Sequence, residues 1–582
     1  MGALALASCI KTASDTVPRL KLPKAEAVQL MLVATHDWHG QLFATKAPGV
    51  QGALPQGGAL AFFAQLSALR EAFPGRVLWA DAGDMLHGDW ALHPQETCLA
   101  AEAFAYMGLD FATLGEHDFG FPAGMPPERG RGQRVLQGCM ARAPFAWSSA
   151  NVYSTADGTR PGWLGGDKLH MVERQGVQVG FIGLTTPLAP LLVAPPRLEG
   201  LTFGDMALAA RERALALRAR GADVVVLVAH AQGECAQAQA LEDFSECTNR
   251  QGEIGEVLEA LPEGLIDVVV AGHGHKPLGH FFKGVPVVQT RGMGQHFSMI
   301  EFHWEPTERR LLREKTRVHA EVPICEKIWP SRQSCEGPPP PGEEAVPAVF
   351  FGRQLQVDER LEALLAPAAE RWKERQQTLL GIEVGERLWL GEAEESALGG
   401  MLAESLLLAT QADVALVHRG TFLEALEAGA LSAGRFLQSM PQSSRVALVR
   451  FSGEELRRLM QLAFGQRRFL FDVAGVELQL GCFPSGRRQV HTQLVLADGR
   501  RQAVEDKAFY WVAMPEFLAQ GGFGLEGMVA GAPPRQTKLQ EDMRETVLHV
   551  WRQQQRPLMP PLRPRVLLNS CESPKTPSKE QL

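Results

Sequence analysis

The 582 residues are 45% hydrophobic and 21% charged, which suits a globular chain of two or more domains and excludes a disordered polymer binder. The net charge of −8 excludes the basic face that a nucleic-acid polymer requires. No apolar run is long enough to span a bilayer.

At the start of the chain, Leu6-Ala7-Ser8-Cys9 resembles a bacterial lipobox, in which cleavage precedes a lipid-modified cysteine. Residues 1–24 are therefore expected to be a signal remnant and linker, with membrane contact only through a lipid on Cys9. Beyond them, β-branched runs alternate with helical patterns, as in α/β layering. Strands are expected at Val28–Ala34, Val77–Ala80, Val177–Leu184, Val224–Val228 and Ile266–Val270, and helices at Gly58–Phe73 and within Asp205–Arg220. Wholly apolar strands such as Val224–Val228 suit a sheet covered on both faces.

Four consecutive prolines, Pro338 to Pro341, interrupt the pattern, so 321–350 reads as an interdomain linker. A second α/β unit is expected over 351–555, and a disordered Pro-rich tail over 556–582. Cys235 and Cys247, like Cys325 and Cys335, are close enough in sequence for each pair to close a small disulfide loop or to stay as free thiols. No CxxC spacing suggests a structural zinc site.

Five short clusters fall at or just beyond the carboxyl ends of expected strands, where α/β sheets place ligands. They are Thr35-His36-Asp37-Trp38-His39-Gly40, Asp81-Ala82-Gly83-Asp84, Gly115-Glu116-His117-Asp118, Ala229-His230 and Gly272-His273-Gly274-His275. Mixed Asp and His donors suit Mn, Zn or Fe. Two such ions need a bridging carboxylate, and together they activate water and clamp phosphoryl oxygens.

In this order the clusters resemble those of the calcineurin-like metallophosphoesterase superfamily, and more narrowly the bacterial 5′-nucleotidase / UDP-sugar hydrolase family. The resemblance implies a four-layer α/β/β/α metallophosphoesterase domain over 25–320 and a C-terminal α/β domain of the 5′-nucleotidase type. It implies that Asp37, His39 and His275 hold one metal, that Glu116, His230 and His273 hold the other, and that Asp84 bridges them. His117 would contact the phosphate or protonate the leaving group.

Three departures stand out. The family's metal-binding Asn is Glu116 here, which adds a negative charge beside Asp37 and Asp84. The Asp that orients the family's catalytic His is replaced by Gly120. In the C-terminal half, the loop that carries the family's phosphate-gripping Arg reads His418-Arg419-Gly420-Thr421-Phe422-Leu423, leaving Arg419 as its one cation. The first stacking motif reads Pro441-Gln442-Ser443-Ser444, while Phe517 matches the second stacking aromatic, with Phe523 where the family has Asp. The metal ligands are thus kept better than the nucleotide contacts.

The expectation is an exported, periplasmic or membrane-anchored hydrolase of a nucleotide or another small phosphate ester, with two divalent ions. A thiosulfohydrolase-like enzyme on the same metal centre, and a catalytically degenerate lipoprotein that binds a metal or ligand, are the alternatives.

Overall fold

The computed structural model describes residues 27–47, 50–86, 98–120, 131–193, 195–235, 246–247, 249–391, 395–441, 444–465, 471–482, 488–496, 498–522, 525, 528, 537–561 and 565–568. Cys9, Gln442, Ser443 and Phe523 lie outside these residues.

Two sheets stacked face to face build the N-terminal half. In the first, Val28–Thr35 lies between the antiparallel strand His296–Glu305 and the parallel strand Val77–Asp81, with Phe111–Ala112 and Ala146–Trp147 beyond. The second centres on Val224–His230, flanked in parallel by Val177–Thr185 and Val268–Ala271.

Period-two alternation sorts the side chains between layers. Leu30, Leu32 and Ala34 meet Val224, Val226 and Val228 in the core between the sheets. Met31, Val33 and Trp79 point the other way, onto the helices Ala59–Ala72 and Leu99–Met107. Val225, Leu227 and Val269 face the helices Met206–Ala219 and Gly252–Ala260. The result is the expected four-layer α/β/β/α arrangement, with Asp205 capping the helix that follows it through Leu208 N–H.

Segment 321–350 carries pairing of its own: Lys327–Ile328 pairs with Val346–Pro347, and Cys325 is bonded to Cys335. The helix Glu359–Gln377 then joins the two halves. Leu361, Leu365 and Ala368 enter the N-terminal core, while its far end abuts the C-terminal domain, where Ala433 N–H donates to the Thr378 carbonyl.

The C-terminal domain is built on a mixed sheet in which Val414–His418 and Phe509–Pro515 run parallel at the centre. Ala397–Thr410 and Met543–Gln553 cover one face, and Gly453–Phe464 the other. Disorder does not hold for all of the tail. Val566–Leu568 adds in parallel to Val476–Cys482, an apolar edge strand anchored where Arg565 meets Glu395 and Glu404. Disulfides join Cys235 to Cys247 and Cys98 to Cys139 as well. Among the described residues, no helix is long and apolar enough to cross a membrane.

Candidate metal centre and facing cleft

Five site residues, Asp37, His39, Asp84, His273 and His275, sit in left-handed backbone with φ between 47° and 71°. An L-residue held there costs on the order of 1 kcal/mol, a strain that persists where a site demands it. Glycines make the turns possible. A Cβ on Gly115 would lie 2.0 Å from Asp84 Oδ1, and one on Gly292 would lie 2.7 Å from Asp37 Cβ.

These turns bring the side chains into one pocket. Ligand atoms of Asp37, His39 and His275 lie within 4.8 Å of one another, as do those of Glu116, His230 and His273. Asp84 belongs with Asp37 and His230 on one side and with Glu116 and His117 on the other, so it sits between the two groups. His230 Nε2 is 3.4 Å from Asp84 Oδ2 and 2.8 Å from Glu116 Oε2, and His273 Nδ1 is 2.9 Å from Glu116 Oε1.

Neighbouring backbone fixes the imidazoles. His230 Nδ1 meets the Ala82 carbonyl at 2.7 Å, and His275 Nδ1 meets the Arg291 carbonyl at 2.9 Å. A carbonyl only accepts, so Nδ1 carries a proton in each ring and Nε2 is the nitrogen turned to the pocket. Sequence reasoning assigned no role to His36. Its Nε2 accepts from Thr290 N–H at 2.7 Å, which leaves the Nδ1 proton for Asp37 Oδ2 at 2.5 Å. Asp118, the carboxylate next to His117, accepts instead from the backbone N–H groups of Asp84, Leu86 and Gly115, and so holds the Asp84 turn.

Charge in the pocket is unevenly balanced. Burial works to raise Asp37 and Glu116, but imidazole charge outweighs it and holds both well below the carboxylate range. Burial and the nearby Glu116 charge push Asp84 well above that range, against His230. Burial lowers His273, yet Glu116 lifts it to about 9. Asp37 Oδ1, Glu116 Oε2 and His230 Nε2 are buried without a hydrogen-bond partner. Buried acceptors aimed at one another are a poor arrangement unless cations lie between them, and the mixed O/N donor set fits divalent metal ions.

The C-terminal domain faces this pocket. His418 ends its strand and lies within electrostatic reach of the His117 imidazole. Burial first, then His117 and Arg419, push the His418 imidazole down to about 3. The His418 ring packs edge-on against Phe471 and Phe517, with centroids 5.7 and 6.4 Å away. Gly420 N–H donates to its Nδ1 at 3.0 Å, so the proton of the neutral ring is on Nε2. Arg419 turns into its own domain, donating to the Gly391 carbonyl at 2.9 Å and to Asp472 Oδ1 at 3.1 Å. The sequence marked His418 only as a member of this loop, because nothing in one loop says which side chain turns outward.

The family described as 5′-nucleotidase, C-terminal domain, matches residues 382–530. A 5′-nucleotidase of Vibrio cholerae is 22% identical over 474 residues, covering 76% of this chain and 76% of its own length. A 5′-nucleotidase precursor structure from Thermus thermophilus superimposes with a TM-score of 0.71 at 20% identity, over 93% of this chain and 99% of that one. The SoxB sulfate thiohydrolase of the same genus gives 0.66 at 15% identity, over 93% and 96%. The resemblance read from the motifs is borne out, and the two-domain fold is that of the 5′-nucleotidases.

Proposed function

We propose that the chain is a dinuclear-metal phosphoesterase that hydrolyses a nucleotide or another small phosphate ester between its two domains. The pair of donor groups, Asp37/His39/His275 and Glu116/His230/His273, with Asp84 between them, carries this reading. When bound, two ions would neutralise phosphoryl oxygens and make water a nucleophile at neutral pH.

The chain's own residues do the rest. His36 and the backbone N–H of His273, 2.8 Å from Asp37 Oδ2, leave Asp37 Oδ1 to ligate. Asp84 Oδ1 accepts from His117 N–H at 2.9 Å, which ties the bridging carboxylate to the histidine proposed to meet the phosphate. Burial lowers His117 to about 4, so its neutral ring acts at pH 7 as a hydrogen-bond donor to the phosphate or leaving oxygen. Phe517 and His418 offer the leaving group an aromatic edge and a neutral donor, which suits an uncharged ring better than a further phosphate.

Three disulfides fit an oxidising compartment outside the cytoplasm. The reading places the protein there, with a lipid on Cys9 to be sought by mass spectrometry of the mature N-terminus.

The test is hydrolysis of p-nitrophenyl phosphate, bis-p-nitrophenyl phosphate, AMP and UDP-glucose with added Mn²⁺, beside Asp84→Ala. Asp84-dependent turnover of at least one ester supports the reading. Bound metal without turnover of any ester would leave the thiosulfohydrolase-like or binding-protein alternatives.

A further inference from the structure

The segment Thr290–Met293 walls one side of the metal pocket through backbone atoms. Thr290 N–H donates to His36 Nε2, the Arg291 carbonyl accepts from His275 Nδ1, and Met293 N–H donates to the Asp37 carbonyl at 2.7 Å. Gly292 and Met293 are both left-handed, with φ of 73° and 58°. Such a turn needs an external hold, since a short irregular segment has no ladder of its own.

That hold comes from the strand Arg317–Pro323. It pairs with His296–Glu305, and the register slips: Phe297 faces Val322 but Met299 faces His319. The extra residue falls at Ala320–Glu321, and a bulge of this kind re-aims a side chain. The Glu321 carboxylate, 8% exposed, takes Arg291 twice. Oε1 accepts the Arg291 backbone N–H at 2.8 Å, and Oε2 lies 3.1 Å from the guanidinium Nη1. Behind it, His296 Nε2 lies 3.6 Å from Glu321 Oε2 and 3.0 Å from Glu336 Oε1, next to the Cys325–Cys335 disulfide.

We infer that Glu321 is a positioning residue for His275. By gripping Arg291 through backbone and side chain, it fixes the carbonyl that keeps the His275 proton on Nδ1 and turns Nε2 to the pocket. A ligating histidine must be bare on the nitrogen that binds, and the acceptor on its other nitrogen enforces this. The role rests on the proposed metal centre and adds to it a residue that touches neither metal nor substrate.

The experiment is calorimetric titration of the metal-stripped full chain with Mn²⁺, in wild type, Glu321→Ala, Glu321→Gln, His275→Ala and Glu321→Ala/His275→Ala, with a melting curve for each. Wild type takes two ions. Glu321→Ala weakens one of the two sites by about 10- to 100-fold, the usual effect of losing an outer partner of a ligand, and leaves the other within about twofold. Glu321→Gln, which keeps an acceptor for Arg291 N–H, falls between. The double variant behaves at the weakened site as His275→Ala alone does, because the two residues act as one unit. Wild-type affinity at both sites in Glu321→Ala would overturn the inference. So would an equal loss at both sites that tracks a lowered melting temperature. A wild type that takes no metal would sink the metal centre itself, before any variant is compared.

Discussion

The metal pocket and the cleft wall that faces it were built under different constraints, and they differ in how far short motifs reach. In the pocket, the convergence of side chains goes with special backbone: Asp37, His39, Asp84, His273 and His275 adopt left-handed φ, and glycines crowd against the carboxylates. A motif that encodes turns therefore also encodes where its side chains meet. On the facing wall the backbone of Val414–His418 is ordinary strand, and the outcome depends on rotation of side chains at its end. There Arg419 turns inward to Asp472, while His418 lies within electrostatic reach of the His117 imidazole. The lesson is that donors fixed by strained turns are legible from spacing, whereas contacts made from regular strands are not.

The largest effect that sharpens this contrast is expected at the carboxylate between the two donor groups. Asp84→Ala should lose metal and lower turnover of p-nitrophenyl phosphate by more than about 100-fold, beyond what losing an outer partner costs. Metal analysis and steady-state rates measure both.

On the facing wall, Arg419→Ala should act on stability instead. Its guanidinium is 12% exposed and Asp472 is fully buried, so the variant leaves a buried carboxylate unpaired and should destabilise by about 3–5 kcal/mol in denaturant. KM for p-nitrophenyl phosphate should stay within about twofold, since a side chain that does not touch the substrate contributes nothing to substrate binding. A large KM rise at unchanged stability would return Arg419 to the substrate.

Gly115→Ala comes next. The added methyl displaces Asp84 by about 1 Å, a misplacement that can lower turnover by about 100-fold. Wild-type rates in this variant would mean the turn tolerates what its geometry forbids.

The smallest effect concerns Glu424, which lines an interdomain cavity of about 520 Å³ with Trp372 and Arg435. Burial raises its carboxyl to about 7. A raised acid binds its proton more tightly in the folded state, so this group's contribution to stability is greatest below about pH 4.5 and falls as pH rises through about 7. Glu424→Gln should be near neutral at pH 4 and stabilise on the order of 2 kcal/mol at pH 8, by melting curves at the two pH values.

Much of the architecture was readable in advance. Valine-rich runs such as Val224–Val228 mark buried parallel strands, and Asp205 announces the helix that it caps. The donor clusters were readable for the reason given above. What stayed hidden were contacts whose partners lie far along the chain. His36 is recognisable only once Thr290 is beside it, 254 positions away. Cys98 and Cys139, 41 residues apart, gave no local sign of pairing, unlike the two short loops. The bulge that aims Glu321 depends on a register that the pattern of Arg317–Pro323 alone does not set. Val566–Leu568 was lost in a Pro-rich context, although its apolar run gains a strand once Val476–Cys482 offers an edge.

The account turns on whether the Asp, Glu and His side chains gathered around Asp84 hold two ions at once. Elemental analysis of the purified full chain after equilibration with Mn²⁺, with anomalous scattering to locate the metal, addresses this directly. The expected result is two ions per chain, one against Asp37, His39 and His275 and the other against Glu116, His230 and His273, both touching Asp84. Fewer than one ion per chain, or metal bound elsewhere and unaffected by Asp84→Ala, would contradict it.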